Sequence, residues 1–208
     1  DMGRNPEASA VSMAGAQLCA IEDVTIRGDF HAGVFQMPGS GGGIAGLRVL
    51  GGRIGILQNE YRPNPLASDV ILEGQSECGV KVLNARGPVI LCGFRIVSPE
   101  SPSPQYRAVA AESLSRAGID HAIANLCLAD GSIEVKGAGG TAIASAAQDT
   151  VLRNVYVKAA TILECGSAAP PAMVVAGDPA RWKRVAAYAY TSPLDKGSVA
   201  VDGVERSD

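Results

Sequence analysis

A short strand-like pattern recurs along this chain at intervals close to 23 residues. Its six copies begin at positions 24, 47, 70, 94, 126 and 155, so successive copies are 23, 23, 24, 32 and 29 residues apart. The first and third positions of every copy are apolar, which is the period of two of a strand with one buried face. Self-similarity with a period of about 20–50 residues indicates a solenoid, in which each repeat packs only on its neighbours.

The residue before each of these strands belongs to one small group of residue types. The six are Asp23, Gly46, Asp69, Gly93, Asn125 and Asn154. Gly, Asn and Asp are the residues that most readily adopt a left-handed backbone conformation. The sequence therefore predicts a tight corner at the same register in all six turns. Asp23 and Asp69 are assigned a structural role for this reason, because Gly and Asn occupy the same position in other turns.

A second column of strands follows the first. Its predicted members are 10–13, 33–36, 55–58, 79–82, 108–111 and 141–144, with 160–166 as a candidate seventh. Longer segments are interpreted as loops inserted into the turns: 59–67, 98–106, 116–126 and 135–150. In solenoids such insertions often gather on the binding face.

No helical periodicity links the strands, and two other repeat folds are excluded. A leucine-rich repeat needs an Asn ladder in an LxxLxLxxN frame, which is missing, and propeller blades are about 40 residues or longer. We predict an all-β chain that folds as a right-handed parallel β-helix with turns of 23–32 residues. The β-helix is expected over 1–166, and 167–208 is expected to be an irregular segment plus C-terminal strands that cap or continue it.

Composition excludes several classes of partner and cofactor. The net charge is −3 and the 18 Lys and Arg form no cluster, so we expect no nucleic-acid partner. No apolar run approaches the roughly 18 residues of a membrane span. The five Cys fit no CxxC spacing and are expected to be free, buried thiols. With only two His as well, the sequence predicts neither a metal site nor another cofactor.

The chain begins at Asp1 without a recognisable signal peptide, which indicates a processed or excised piece. The open ends of a β-helix are sheet edges that need to be covered. We therefore expect either a longer parent chain or a homo-oligomer in which the ends pair.

A family resemblance rests on the repeated frame G-[VI]-x-x … [DNG]-[VLF]-x-[VIL] over about 10–165. The frame resembles that of the pectate lyase superfamily, the right-handed β-helix proteins that include polygalacturonase-like glycoside hydrolases. The opening GRNPEASAVSM followed by IEDVTIRG is similar to a bacterial branch of that superfamily. The resemblance implies a polysaccharide substrate, a groove along one parallel sheet, and an extracellular or periplasmic location.

The catalytic motifs of that superfamily are missing from the sequence. Polygalacturonase-type enzymes carry Asn-Thr-Asp, Asp-Asp, Gly-His-Gly and Arg-Ile-Lys, and none of these occurs here. The dense calcium-binding acidic clusters of pectate lyases are absent as well. No catalytic residue is therefore carried over from the family.

Four residues are candidates for acid–base chemistry: Asp29, His31, Glu60 and Glu73. Glycoside hydrolysis usually needs two carboxylates about 5–9.5 Å apart, and a histidine beside an acid can act as general base. Asp29 and His31 share the segment RGDFHAG, while Glu60 lies in the loop NEYRPNPLA and Glu73 ends its strand on the third turn. His121, next to an aspartate, is a similar candidate.

Four further residues are candidates for contact with a sugar chain: Tyr61, Arg62, Arg48 and Arg95. Aromatic rings stack on sugars, and Arg binds carboxylates in a bidentate manner. Arg48 and Arg95 are expected to point outward from one face, two turns apart. Two hypotheses follow: a carbohydrate-active β-helix of hydrolase or lyase type, or a non-catalytic β-helix that serves as a binding, structural or adhesin-like module.

Overall fold

The fold is known from a computed structural model, which describes residues 1–15, 17–112, 125–146, 149–165, 173–191 and 203–205. Thirteen strands form one continuous hydrogen-bonded array, and no helix occurs within these residues. The strands are β1 (Arg4–Ser12), β2 (Ala20–Phe35), β3 (Gly43–Gly51), β4 (Ile54–Pro63), β5 (Leu66–Glu73), β6 (Cys78–Arg86), β7 (Val89–Val97), β8 (Arg107–Ala111), β9 (Leu126–Glu134), β10 (Thr141–Ser145), β11 (Asp149–Cys165), β12 (Met173–Thr191) and β13 (Gly203–Glu205).

The chain crosses three stacked parallel sheets in each turn. Sheet I contains 20–22, 43–45, 66–68, 90–92, 127–129 and 151–153. Sheet II contains the segments that follow the corner, 24–28, 47–51, 70–73, 94–97, 131–134 and 155–158. Sheet III contains 32–35, 54–58, 78–82, 107–111, 141–145 and 161–165. The predicted all-β parallel β-helix is confirmed.

The core lies between the three sheets and consists of aliphatic ladders. One ladder runs up sheet I through Ile21, Ile44, Ala67, Leu91, Leu128 and Leu152, all buried. Another runs up sheet III through Val34, Ile56, Val80, Val109, Ile143 and Leu163, also buried. Burial stabilises each large member by about 1.5–3 kcal/mol, so stacked like residues hold adjacent turns in register.

The corner between sheets I and II has a left-handed backbone in every turn. The six residues with positive φ are Asp23, Gly46, Asp69, Gly93, Asp130 and Asn154. The prediction is confirmed for five of the six corners. It is wrong for the fifth, which is at Asp130 and not at Asn125. The corners are therefore 23, 23, 24, 37 and 24 residues apart.

The misplaced fifth corner has a physical cause. Leu126 pairs with Val89 in sheet I, whereas Phe94 pairs with Gly131 in sheet II. Because Gly131 interrupts the apolar pattern, Leu126 and Leu128, which are buried before the corner, resemble the strand that follows a corner in the other turns. The outward residue of sheet II in this turn is consequently Ser132, since it pairs with Arg95.

Sheet III agrees with the predicted second column apart from one register step. Val109 pairs with Ile143, not with Ala142. Ile143 in turn pairs with Leu163, so the segment 160–166 contains the last strand of sheet III. The predicted loop at 59–67 is wrong at both ends, because β4 continues to Pro63 and β5 begins at Leu66. This extension is possible because β4 shifts register against β6 after Gln58 and again after Asn59.

The last turn is covered by a long antiparallel strand. β12 pairs with β11 from Cys165↔Met173 to Asp149↔Thr191, and β13 pairs with β12 at Lys183–Val185. Apart from 203–205, the chain after Thr191 lies outside the described residues, and the boundary predicted at 166 stays a prediction. No helix of the described residues is long and apolar enough to cross a membrane.

The cysteines are free thiols, as predicted, but only two of them are buried. Cys78 and Cys165 lie in the interior, Cys19 and Cys127 are half-buried, and Cys92 is exposed. Cys92 and Cys127 differ from the expectation because they occupy outward positions of sheet I.

Candidate substrate cleft on sheet II

The outer face of sheet II carries two rows of side chains that run along the solenoid axis. The first row is Thr25, Arg48, Ile71, Arg95, Ser132 and Tyr156. The second row is Arg27, Leu50, Glu73, Val97, Glu134 and Lys158. The two rows alternate with the core residues because successive side chains of a strand point to opposite faces. Most charged groups of this face lie on the second to fifth turns.

An open cleft of about 490 Å³ lies on this face. Its floor is formed by Leu50, Glu73 and Val97, and one wall is formed by the segment 98–100 together with Lys136. Because the floor residues belong to three adjacent turns, they are about 4.8 Å apart along the axis. The floor of the cleft thus extends about 10 Å along the axis.

Glu73 lies between two arginines from neighbouring turns. Its Oε2 is 3.5 Å from Arg48 Nη2, and its Oε1 forms a hydrogen-bonded ion pair with Arg95 Nη1. The side chain of Glu73 is 28% exposed, against 47% for Arg48 and 51% for Arg95. The carboxylate is therefore the least exposed of the three groups. Glu73 and Arg95 line the cleft, and Arg48 reaches Glu73 from the turn before. Three of the predicted site residues are brought together here.

The wall of the cleft begins at a buried serine. The Ser98 amide donates to Glu134 O at 2.9 Å, and the Ser98 hydroxyl donates to Pro99 O at 2.8 Å and accepts from the Lys136 amide at 2.9 Å. With its hydroxyl occupied in this way, Ser98 anchors the loop. Further along the loop, Glu100 forms an ion pair with Lys136 Nζ within the same wall.

A buried glutamine fixes the strand ends below the cleft. Gln75 Nε2 lies 3.1 Å from Val49 O, 3.0 Å from Gly51 O and 3.0 Å from Glu73 O. The orientation of the amide follows from these contacts, because the opposite one would place its oxygen against three carbonyl oxygens. Gln75 Oε1 is buried without a partner. The side chain thus holds the backbone of Glu73 to the previous turn.

The other catalytic candidates lie elsewhere or outside the described side chains. Asp29 is at the far end of sheet II on the first turn, where its Oδ2 is 3.7 Å from Arg4 Nε, and His31 is half-buried between sheets II and III. Glu60, Tyr61 and Arg62 belong to the backbone of β4, and their side chains are not among those described. His121 lies outside the described residues.

A second charge network lies on the outer face of sheet III and resembles that of Glu73. Glu77 is 3.1 Å from Arg53 and 3.4 Å from Lys81, and Lys81 is 3.4 Å from Glu112. Partial burial opposes the charge of Lys81, but Glu112 and Glu77 outweigh it, so the pKa of the Lys81 ammonium is raised. Among the described residues, a carboxylate between two cations is thus found both inside the cleft and away from it.

Several residues of the cleft were missed by sequence reasoning. They are Gln75, Ser98, Glu100 and Lys136. The Pro/Ser-rich composition of 98–106 did reveal an inserted loop, but nothing in its composition indicates that Glu100 would reach Lys136 on the next turn. Among the described residues, no three His, Cys, Asp or Glu side chains are grouped so that they could hold a metal ion.

These features define the chain as a parallel β-helix with an open, charged cleft on one of its three sheets. Comparison with family models, with curated proteins and with solved structures finds no match to this sequence.

Proposed function

We propose that this protein is a carbohydrate-active β-helix that binds and cleaves a polysaccharide in the sheet II cleft. The observation that carries the proposal is the position of Glu73, which lines an open cleft and is paired with Arg48 and Arg95. The two guanidinium groups favour a sugar chain that bears carboxylates, since a guanidinium group can bind a carboxylate through two N–H groups. The resemblance of the repeat frame to polysaccharide-degrading β-helix proteins points to the same substrate class.

Two carboxylates line this cleft, Glu73 and Glu100. A pair of carboxylates is what glycoside hydrolysis requires, one as general acid and one as base or nucleophile. A lyase would instead use a basic group to remove a proton next to a sugar carboxylate that a cation neutralises. Such cations are present in Arg48, Arg95 and Lys136. The hydrolase and the lyase reactions are therefore distinguished by the chemistry of their products.

The test is to incubate the protein with neutral and acidic polysaccharides. Both reaction types produce new reducing ends, and the absorbance of an unsaturated sugar reports the lyase. We expect Glu73→Gln to lower the rate by at least about hundredfold, the usual scale of a lost acid–base or charge-positioning group. The matched control is Glu77→Gln, which alters a carboxylate held by two cations outside the cleft and should retain the wild-type rate. Equal rates for the two variants would overturn the assignment of the cleft.

A non-catalytic binding module is the second candidate. It is favoured by the pairing of the charges in the cleft, because Glu73 is held by two arginines and Glu100 by Lys136. A binding module would retain an acidic polysaccharide on a column and lose that retention in the Arg48→Ala and Arg95→Ala variants. It would release no reducing ends from any polysaccharide.

A further inference from the structure

The outer face of sheet I is unusually apolar for a surface of this protein. One of its two rows is Ala20, Gly43, Leu66, Ile90, Cys127 and Val151. Leu66 and Val151 are each 42% exposed, and Leu18, 85% exposed, lies beside the first turn of this face. These three are among the four large apolar side chains that stand exposed within the described residues. No comparable row occurs on sheet II.

The other row of this face is charged on the first turn and on the sixth, with no charge between, and Ala187 of β12 continues the row beyond the sixth turn. It runs through Glu22, Ala45, Ser68, Cys92, Ala129 and Arg153. Glu22 and Arg153 are both exposed, and neither forms an ion pair within the described residues. They are five strand spacings apart, which is about 24 Å.

We propose that the outer face of sheet I binds the same face of a second copy, with the two solenoid axes antiparallel. In this dimer a twofold axis runs parallel to the strands. It reverses the solenoid direction of the second copy, and each row of one copy then faces the same row of the other. Glu22 of one copy then lies opposite Arg153 of the other, and the symmetry repeats that contact at the opposite end. In a parallel arrangement like charges would approach one another at each end instead. The charge pattern therefore selects one orientation.

The same arrangement matches the uncharged positions. Ala45 lies opposite Ala129, Leu66 lies opposite Ile90, and Ser68 lies opposite Cys92. The small side chains of the second row, Ala45, Ser68, Cys92 and Ala129, allow two sheets to approach at about the usual 10 Å spacing. The two copies of Cys92 are then offset by one strand spacing, which places their Cα atoms about 11 Å apart.

The size of the face sets the strength of association. Six strands about 4.8 Å apart, each contributing three residues of about 3.3 Å, give a face of about 300 Å² per copy, below the roughly 800 Å² per partner of a standard interface. We therefore expect a reversible dimer with a dissociation constant of roughly 10–1000 μM. The dimer leaves sheet II open, so it is compatible with use of the cleft.

Sedimentation velocity over a range of protein concentrations tests the proposal. We expect the wild type to shift from monomer to dimer, and Glu22→Arg or Arg153→Glu to raise the dissociation constant by roughly tenfold or more, because like charges then face one another. The double variant Glu22→Arg/Arg153→Glu should restore the wild-type value. The control is Glu7→Arg, an exposed charge reversal on β1, which should leave the dissociation constant unchanged.

Thiol cross-linking supplies an independent measurement. A bismaleimide with a reach of about 10 Å should link the wild type into dimers at high protein concentration, and Cys92→Ser should abolish the product. A wild type that stays monomeric at roughly millimolar concentration overturns the proposal. A dimer that is indifferent to both single reversals, or that the double reversal fails to restore, also overturns it, since another surface would then be responsible.

Discussion

The ring of Phe94 occupies the space directly above Gly131 on the next turn. A Cβ atom placed on Gly131 would lie 2.3 Å from Phe94 Cε1, 2.4 Å from Cζ and 2.5 Å from Cδ1. The two residues are register partners in sheet II, and both are buried. A large side chain in one turn is thus accommodated by the absence of a side chain in the next. This is how a stacked ladder tolerates an aromatic ring among aliphatic residues.

We predict that Gly131→Ala destabilises the fold by about 2 kcal/mol, the scale of an overpacked core. The cause is steric, because Gly131 is not among the residues with positive φ. Urea unfolding of the wild type and the variant measures the difference.

A double variant isolates this cause. In Phe94→Leu the ring is removed, so the further cost of Gly131→Ala in that background should fall by at least half. An equal cost of Gly131→Ala in both backgrounds would rule out the ring contact as the reason for the glycine.

The repeat made most of the fold predictable, because two physical requirements recur at each turn. Apolar side chains must point inward at every second position, and the corner must adopt a left-handed backbone. Both leave a visible pattern wherever the neighbouring turns are regular. The pattern failed at Gly131, where the requirement was set by the ring of Phe94 on another turn. A contact between residues 37 positions apart leaves no local signature.

The candidate cleft was only partly predictable for the same reason. Arg48, Glu73 and Arg95 follow from the register, since the repeat places them on one face of successive turns. Ser98, Glu100 and Lys136 depend on the path of an inserted loop, which no repeat specifies. Gln75 was missed because its function is to bind backbone carbonyl groups, and a buried glutamine after a strand resembles an ordinary turn residue.

Gln75 is predicted to be the most sensitive polar residue beneath the cleft. Gln75→Leu removes the two N–H donors that lie against the carbonyl oxygens of Val49, Gly51 and Glu73, and we expect a loss of about 2–3 kcal/mol in the free energy of unfolding. Amide hydrogen exchange should show faster opening at Gly74, whose amide donates to Val97 O. The control is Ser76→Ala, an exposed neighbour that should change stability by less than about 0.5 kcal/mol. A lower free energy of global unfolding without faster exchange of the Gly74 amide would contradict the positioning role.

Asn154 combines a strained backbone with two side-chain hydrogen bonds. Its φ is 53°, its Nδ2 donates to Asp130 Oδ1 at 2.7 Å, and its Oδ1 accepts from Arg184 Nε at 2.9 Å. Because Arg184 belongs to β12, this corner helps to attach the covering strand to the last turn.

We predict that Asn154→Gly costs about 1–2 kcal/mol, because it retains the left-handed backbone but loses both hydrogen bonds. Asn154→Ala should cost about 1 kcal/mol more, since alanine is also strained at this φ. Thermal unfolding ranks the three proteins, and hydrogen exchange should show earlier opening of β12 in both variants. Equal stability of the Gly and Ala variants would show that the corner imposes no backbone requirement.

The thiol of Cys78 is buried in the outer layer of sheet III and donates to Val80 O at 3.1 Å. Burial raises the pKa of the Cys78 thiol from 9.0 to about 12, and the charge of Lys81 offsets this only in part. Above its ordinary pKa the unfolded chain releases this proton, whereas the folded protein retains it. The contribution of the Cys78 thiol to the free energy of unfolding is therefore fully present below pH 9 and is lost as the pH rises towards 12.

We predict that wild-type stability falls more steeply than that of Cys78→Ala over this alkaline range, by up to about 1.4 kcal/mol per pH unit. The comparison is needed because burial also raises the pKa of Tyr106, which contributes to both proteins. Urea midpoints measured at several pH values for each protein give the two slopes. Parallel slopes would mean that the Cys78 thiol ionises as readily in the folded protein as in the unfolded chain, and would contradict its burial in a water-excluded layer.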